Sequence, residues 1–278
     1  DLMKVREKVP DDVQTLRLLA GYLEQAGRIE EAAKLLNDNA LRLAQGSEPD
    51  SVDSLKEQLV GLQAREGKWL EVAKLSGEML LARPPGPGRT ALFELHVESL
   101  VRSEQSSKAL DVIKREEQRF GASPALALTR AEVFEQLEKK GKAVKALQAP
   151  ALMGTLERNE VLRLATLLYA LDEEQAAEEA LERHAGQGEL EPLFAVGQFY
   201  SIRGDFERAL GYLVRANQQV SEETGDGAKS ELFFWTGQAY ERTKRYDEAA
   251  EAFEKVLEIQ PRHATTLNYL GYMWADIG

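Results

Sequence analysis

Residues 230–261 read SELFFWTGQAYERTKRYDEAAEAFEKVLEIQP, and this stretch decides the fold. Its first half sets Phe233, Thr236, Gly237 and Tyr240 at intervals of three and four, the spacing of one face of a helix. Its second half does the same with Tyr246, Ala249, Ala250, Phe253, Val256 and Leu257. Lys244-Arg245 lies between the two periodic runs, and Pro261 stops the second. The small Gly237 and Ala249 let two antiparallel helices approach closely, while Tyr240 and Phe253 fill the space on either side.

The same unit recurs upstream. Leu193, Gly197, Tyr200, Gly204-Asp205-Phe206, Ala209 and Leu213 repeat it closely, and Leu164, Ala165, Leu168, Ala177 and Leu181 repeat it more weakly. The slot of Ala249 is filled earlier by Ala209, Ala177, Ala143, Ala109, Val72 and Ala32, with recognisable turns at Gly27-Arg28-Ile29 and Gly67-Lys68-Trp69. Successive intervals from residue 32 are 40, 37, 34, 34, 32 and 40, a period that belongs to stacked repeats and not to a globular domain. About seven repeats are expected over 13–261, those centred on 109, 143 and 177 being degenerate. The longer intervals call for longer second helices or longer links, as at Glu222–Gly227 and Pro84–Gly88.

Composition narrows the rest. The 278 residues are 43% hydrophobic, enough to bury a large core, and contain no cysteine, which leaves disulfides and thiolate metal sites out. Thirty-five basic residues against 47 acidic give a net charge of −12, which repels nucleic acid and anionic membrane surfaces and suits solubility or a basic partner. The longest apolar stretch, Val161–Leu171, is broken by Arg163, so no transmembrane segment is expected.

Catalytic and cofactor patterns are not found. Gly225-Asp226-Gly227-Ala228-Lys229-Ser230 ends like a phosphate loop but has Ala228 before the lysine and no strand leading in; it reads as a flexible link between repeats. His96, His184 and His263 stand far apart with no second ligand at metal spacing, and no Gly-x-Ser-x-Gly elbow is present. Carboxylate pairs such as Glu30-Glu31 and Glu178-Glu179 read as solvated helix faces. The expectation is a protein with no catalytic residue, cofactor or metal.

Residues 230–261 resemble the tetratricopeptide repeat, whose pattern asks for a bulky residue at position 4, Leu at 7, a small residue at 8, Tyr at 11, Ala at 20, Phe or Tyr at 24, Ala at 27 and Pro at 32. Counted from Ser230, the chain supplies Phe233, Thr236, Gly237, Tyr240, Ala249, Phe253, Val256 and Pro261, departing only at 7 and 27. The resemblance implies an all-α fold, a right-handed solenoid of antiparallel helix-turn-helix repeats, formed as one domain over 1–278. In that register Pro10-Asp11-Asp12 closes a preceding repeat, with Leu2 and Val5 on its second helix in residues 1–10. Residues 264–278 supply only the first helix of a further one. The array is therefore expected to run beyond both ends, and Leu267, Leu270 and Trp274 to present a stacking face open to end-to-end contacts.

In this family a partner commonly lies against the first helices, at positions 2, 5, 9, 12 and 13. Carried onto this chain, those positions give Glu57, Glu94, Glu98, Glu132 and Glu135 in the middle. Later repeats give Leu162, Tyr169, Phe194, Gln198, Phe234, Gln238, Glu241 and Tyr272. An acidic stretch passing into an aromatic one fits an extended or helical protein segment with basic residues at one end and apolar anchors at the other. The chaperone-tail clamp of some family members is not matched: Arg17 at position 5 is followed by Gly21 at 9, and Gln58 stands at 6 of the next repeat. The phrase at 267–276, LNYLGYMWAD, is similar to a variant repeat of bacterial envelope scaffolds, which implies a bacterial periplasmic or lipid-anchored setting. The resemblance thus implies a scaffold or adaptor for a protein or peptide; the alternative is a non-catalytic arm of a larger enzyme such as a glycosyltransferase.

Overall fold

A computed structural model describes residues 12–45, 49–154, 156–186 and 188–277; the expected close of a preceding repeat, with Leu2, Val5 and Pro10, lies outside the described residues. Among these residues all regular structure is helical. The chain divides into two compact units, residues 1–121 and 122–278. The first holds α1 (Val13–Gln25), α2 (Ile29–Leu43), α3 (Pro49–Arg65), α4 (Trp69–Ala82), α5 (Pro87–Arg102) and α6 (Ser106–Phe120). The second holds α7 (Pro124–Gln136), α8 (Lys140–Leu147), α9 (Arg158–Ala170), α10 (Glu174–Ala185), α11 (Leu190–Ile202), α12 (Phe206–Asn217), α13 (Asp226–Arg242), α14 (Tyr246–Ile259) and α15 (Ala264–Ile277).

Odd-numbered first helices pass to even-numbered second helices through one recurring turn. Its key residue is left-handed: Gly27, Gly67 and Gly204 have φ of 72°, 69° and 80°, and Glu104, Glu138, Asp172 and Lys244 have φ of 62°, 55°, 58° and 62°. The amide after it donates back to the first helix, as from Arg28 to the Leu23 carbonyl at 2.8 Å, Asp205 to Tyr200 at 3.0 Å and Arg245 to Tyr240 at 2.9 Å. This closure satisfies carbonyls that a helix end otherwise leaves open. Each left-handed residue lies five positions before the small residue of the second helix, so turn and packing keep one register at every repeat.

Within each unit, a first helix packs against its own second helix and, where one precedes it, against the second helix before it; first helices also touch one another at α1–α3 and successively from α7 to α15. The crossing is close. A Cβ added to Gly197 would sit 2.7 Å from Leu213, and one added to Gly237 would sit 2.6 Å from the Phe253 ring. Ala20, Ala131 and Ala165 hold the equivalent place and are buried. The departure at Thr236 is satisfied chemically: its hydroxyl donates to the Leu232 carbonyl at 2.8 Å and accepts from Asn217 Nδ2 at 2.8 Å. In α11 every residue from Pro192 to Ser201 is buried, because that helix is covered on all sides.

Three places depart from the sequence reading. Asp226–Ser230, read as a flexible link, is the first turn of α13, with Gly225 as its cap; Asp226 there faces the positive end of the helix dipole. The Pro84–Gly88 loop ends in the helix itself, since Pro87 takes a first-turn position whose amide needs no partner. In the degenerate repeat centred on 143, α8 has only eight residues, and a 3-10 turn at Pro150–Leu152 brings Leu152 into the core in place of the lost last turn.

A buried ion pair holds the first unit. Arg89, 6% exposed, grips Glu116 at 2.7 and 2.9 Å and donates to the carbonyls of Leu80 and Arg83 at 2.5 and 2.6 Å, closing the end of α4. Removing one partner would leave an uncompensated buried charge, so Glu116→Ala is expected to lower stability by about 3–5 kcal/mol in urea unfolding. At the helix crossing, Gly237→Ala is expected to cost about 1–3 kcal/mol by overpacking against Phe253. Gly211→Ala, on the open side of α12 with nothing within 4 Å, is expected to add about 0.5–1 kcal/mol. Equal shifts for the two glycine variants would contradict the packing account.

Candidate partner-binding faces

The first helices turn one stripe inward and leave another for contact, and the candidate residues lie along the second. In the unit of residues 1–121 these are Glu57 on α3 and Glu94 and Glu98 on α5. Glu57 is paired with Arg83 at 2.7 Å, and Arg83 also reaches Asp53 at 3.4 Å. Glu98 pairs along its own helix with Arg102 at 2.8 Å, and Glu94 is half-buried and engaged by other groups of the chain. Two of these three charges therefore already face an arginine.

In the unit of residues 122–278 the same positions form polar ties from one first helix to the next. Arg163 grips Glu132 at 3.0 and 2.8 Å and reaches the Thr129 hydroxyl at 3.2 Å. Gln198 accepts from Arg158 and donates to Glu231 at 3.0 Å; Gln238 donates to the Tyr269 hydroxyl at 2.6 Å. Each tie is half-buried, so it exchanges water for a fixed partner and sets the spacing of adjacent helices.

The aromatic candidates are used internally to different degrees. Phe194 is 2% exposed, with the Arg158 guanidinium 5.6 Å from its ring centre, and as it stands it offers a partner no surface. Gln198 is likewise buried. These two are corrected from contact residues to packing residues: α11 is covered on every side, so position 5 and position 9 there point into protein. Phe234 lies against Phe253, His263 and Tyr269, with ring centres 6.1, 5.5 and 5.8 Å away. Tyr169 is stacked on Phe199 at 5.8 Å and covered by Arg203 at 3.8 Å; Leu162 is half-buried beside the same core. What remains open is Tyr272, 75% exposed on α15, with half-buried Glu135 and Glu241. Glu241 faces Arg242 at 3.5 Å, yet its Oε2 is buried with no hydrogen-bond donor among the described residues.

Arginines 158, 163 and 203 were not among the candidates, and they change the electrostatics of this face from acidic to largely compensated. A signal for them exists in the sequence: the tied pairs are 31, 33, 34 or 40 residues apart, about one repeat, so complementary groups at that separation mark contacts between neighbouring helices. On the second helices, the Tyr212 hydroxyl donates to Glu182 at 2.5 Å, and burial followed by that carboxylate pushes the phenol up to about 12. Tyr212 also stacks on Tyr200, whose phenol is raised further by burial.

The histidines are separate and structural in their contacts. His96 meets the Ser76 hydroxyl at 3.0 Å, with burial lowering its pKa; His263 accepts at Nδ1 from the Thr266 amide at 3.3 Å and so caps α15. His184 is half-buried with its pKa lowered by burial. Among the described residues no three His, Asp or Glu side chains converge as a metal site, and no helix is long and apolar enough to cross a membrane.

The family model described as tetratricopeptide repeat matches residues 230–263. No curated protein matches the chain in sequence. Among solved structures, a tetratricopeptide repeat protein from Parabacteroides merdae is 14% identical, covering 94% of this chain and 98% of its own, with a TM-score of 0.42. The C-terminal part of a repeat-containing protein from Cytophaga hutchinsonii is 13% identical, covering 91% and 98%, with a TM-score of 0.43. YrrB, described as a tetratricopeptide repeat protein with an unusual peptide-binding site, is 19% identical, covering 64% and 90%, with a TM-score of 0.38. Residues 230–263 are thus a tetratricopeptide repeat by the family model, and the same turn and helix crossing recur in the helical pairs before them.

Proposed function

We propose that the chain is a protein-protein interaction scaffold that holds a protein or peptide on its first helices, with no chemistry of its own. The observation that carries this reading is Glu241 on a first helix, whose buried Oε2 has Arg242 Nε at 3.5 Å and no hydrogen-bond donor among the described residues. A half-buried carboxylate held by one long ion pair keeps acceptor capacity on its exposed side, which a lysine or arginine from a partner would fill. Tyr272 adds an exposed aromatic anchor on the next first helix, and buried aromatics carry much of the energy of such contacts. Glu135 adds a further acid on α7. The partner segment is accordingly basic with one apolar anchor, and the residues already tied by arginines contribute spacing and not contact. The resemblance of residues 267–276 to envelope repeats extends this reading to a bacterial envelope assembly or protease-adaptor complex.

The test compares proteins retained from a cell extract by the immobilised wild-type chain and by the E135K/E241K/Y272A variant, quantified by mass spectrometry. A partner is expected to be retained by the wild type and reduced about tenfold by the variant, at unchanged circular dichroism. Identical retained sets would remove this face as the binding face.

A further inference from the structure

The unit of residues 1–121 contains a cavity of about 790 Å³ framed by α4 and α6, with α5 as its floor. It exists because α4 carries Ala73, Ser76 and Gly77 at positions that α12 fills with Leu210, Leu213 and Val214. The small residues are matched by what lies beneath them. A Cβ on Gly77 would sit 2.8 Å from His96 Cε1, and Ser76 holds that imidazole by hydrogen bond. Ala73, Leu80 and Leu100 give the interior its apolar character.

The two sides of the opening differ. On α4 the sequence Leu70, Lys74, Gly77, Leu81 runs at i, i+4, i+7 and i+11, with Leu70 61% and Leu81 79% exposed. On α6 the sequence Lys108, Val112, Arg115, Arg119 runs in the same register. One rail is mainly apolar and the other mainly cationic. Lys108 donates to Gln105 at 2.6 Å, Arg115 to the Asp111 carbonyl at 3.3 Å, and Arg119 lies over the Phe120 ring; among the described residues none of these reaches a carboxylate. The acids at the opening are Glu71 and Glu116, and Glu116 is taken by Arg89.

We propose that this cavity docks an amphipathic helical segment of a partner protein, with acidic residues along the α6 rail and an apolar stripe in the cavity. This local excess of cations favours an acidic ligand, while the net charge of −12 on each molecule opposes the approach of a second copy. Two exposed leucines bordering an apolar hollow match the helix-in-groove mode, in which apolar residues at i, i+4 and i+7 enter the groove. The site is independent of the first-helix face and uses none of its residues.

The test uses the whole chain and a fluorescent synthetic amphipathic helix of about 18 residues, long enough at 1.5 Å per residue to span α4, with glutamates on one stripe and leucines on the other. A second peptide carries lysines in place of the glutamates. Fluorescence anisotropy is expected to show saturable binding of the acidic peptide, about tenfold or more tighter than the basic one and weakened by salt. R115E/R119E and, separately, L81D change exposed side chains; each is expected to weaken acidic-peptide binding about tenfold, with circular dichroism and Tm unchanged. E135K/E241K is expected to leave it unchanged, which separates failure here from failure of the first-helix reading. Equal affinity for the two peptides, or unchanged affinity in both cavity variants, overturns the proposal. A wild-type dimer in sedimentation equilibrium that those variants dissociate also overturns it in favour of a second copy. Binding of dodecanoate without binding of peptide overturns it in favour of a small anionic amphiphile.

Discussion

The approach of each first helix to its second helix is the constraint on which the rest depends. Where Gly197 and Gly237 meet Leu213 and Phe253 there is no room for a Cβ. Backbones that close exclude water along the whole crossing, and the large side chains flanking the contact are buried by it. The left-handed turn five residues before the second-helix slot is the covalent side of the same constraint, because it reverses the chain within the few residues that the crossing allows. Four of these turns use Glu, Asp or Lys, residues that strain in this conformation, so packing and not local preference sets the turn there.

The close crossing also decides what the outer faces are free to do. Once helices sit side by side, residues of neighbouring helices fall within reach of one another, and with pairs along a single helix these contacts let arginines neutralise several of the acids that the sequence displays. Arg163 takes Glu132, Arg83 takes Glu57, and Arg102 takes Glu98. A net charge of −12 therefore overstates how acidic the first helices look to a partner. The converse happens on α6, where Lys108, Arg115 and Arg119 line up along one edge of a cavity. Global charge governs long-range approach, whereas recognition follows the few charges left unpaired at short range.

Local sequence irregularities map onto local structural solutions. Pro150 shortens α8 and a 3-10 turn restores burial through Leu152. The run Ala73, Ser76, Gly77 thins α4, and His96 enters part of the space from α5. Thr236, a polar residue at an apolar place, is satisfied by Asn217 and by its own helix. Each is a substitution answered by a neighbour within the same stack, as expected where repeats contact only their nearest companions.

By itself the sequence determined the helical pairs, their register and the small residues at their crossings, because periodicity of 3.6 and a repeating small slot are local signals that every pair must obey. It also located the candidate stripe on the first helices. It did not separate contact residues from packing residues on that stripe. Phe194 and Gln198 occupy the same repeat positions as Phe234 and Gln238, yet α11 is enclosed on all sides and buries them. Nor did it reveal which glutamates are neutralised or that α4 and α6 frame a cavity. Those depend on side chains about one repeat apart meeting in space, and only the tertiary structure decides which of them meet.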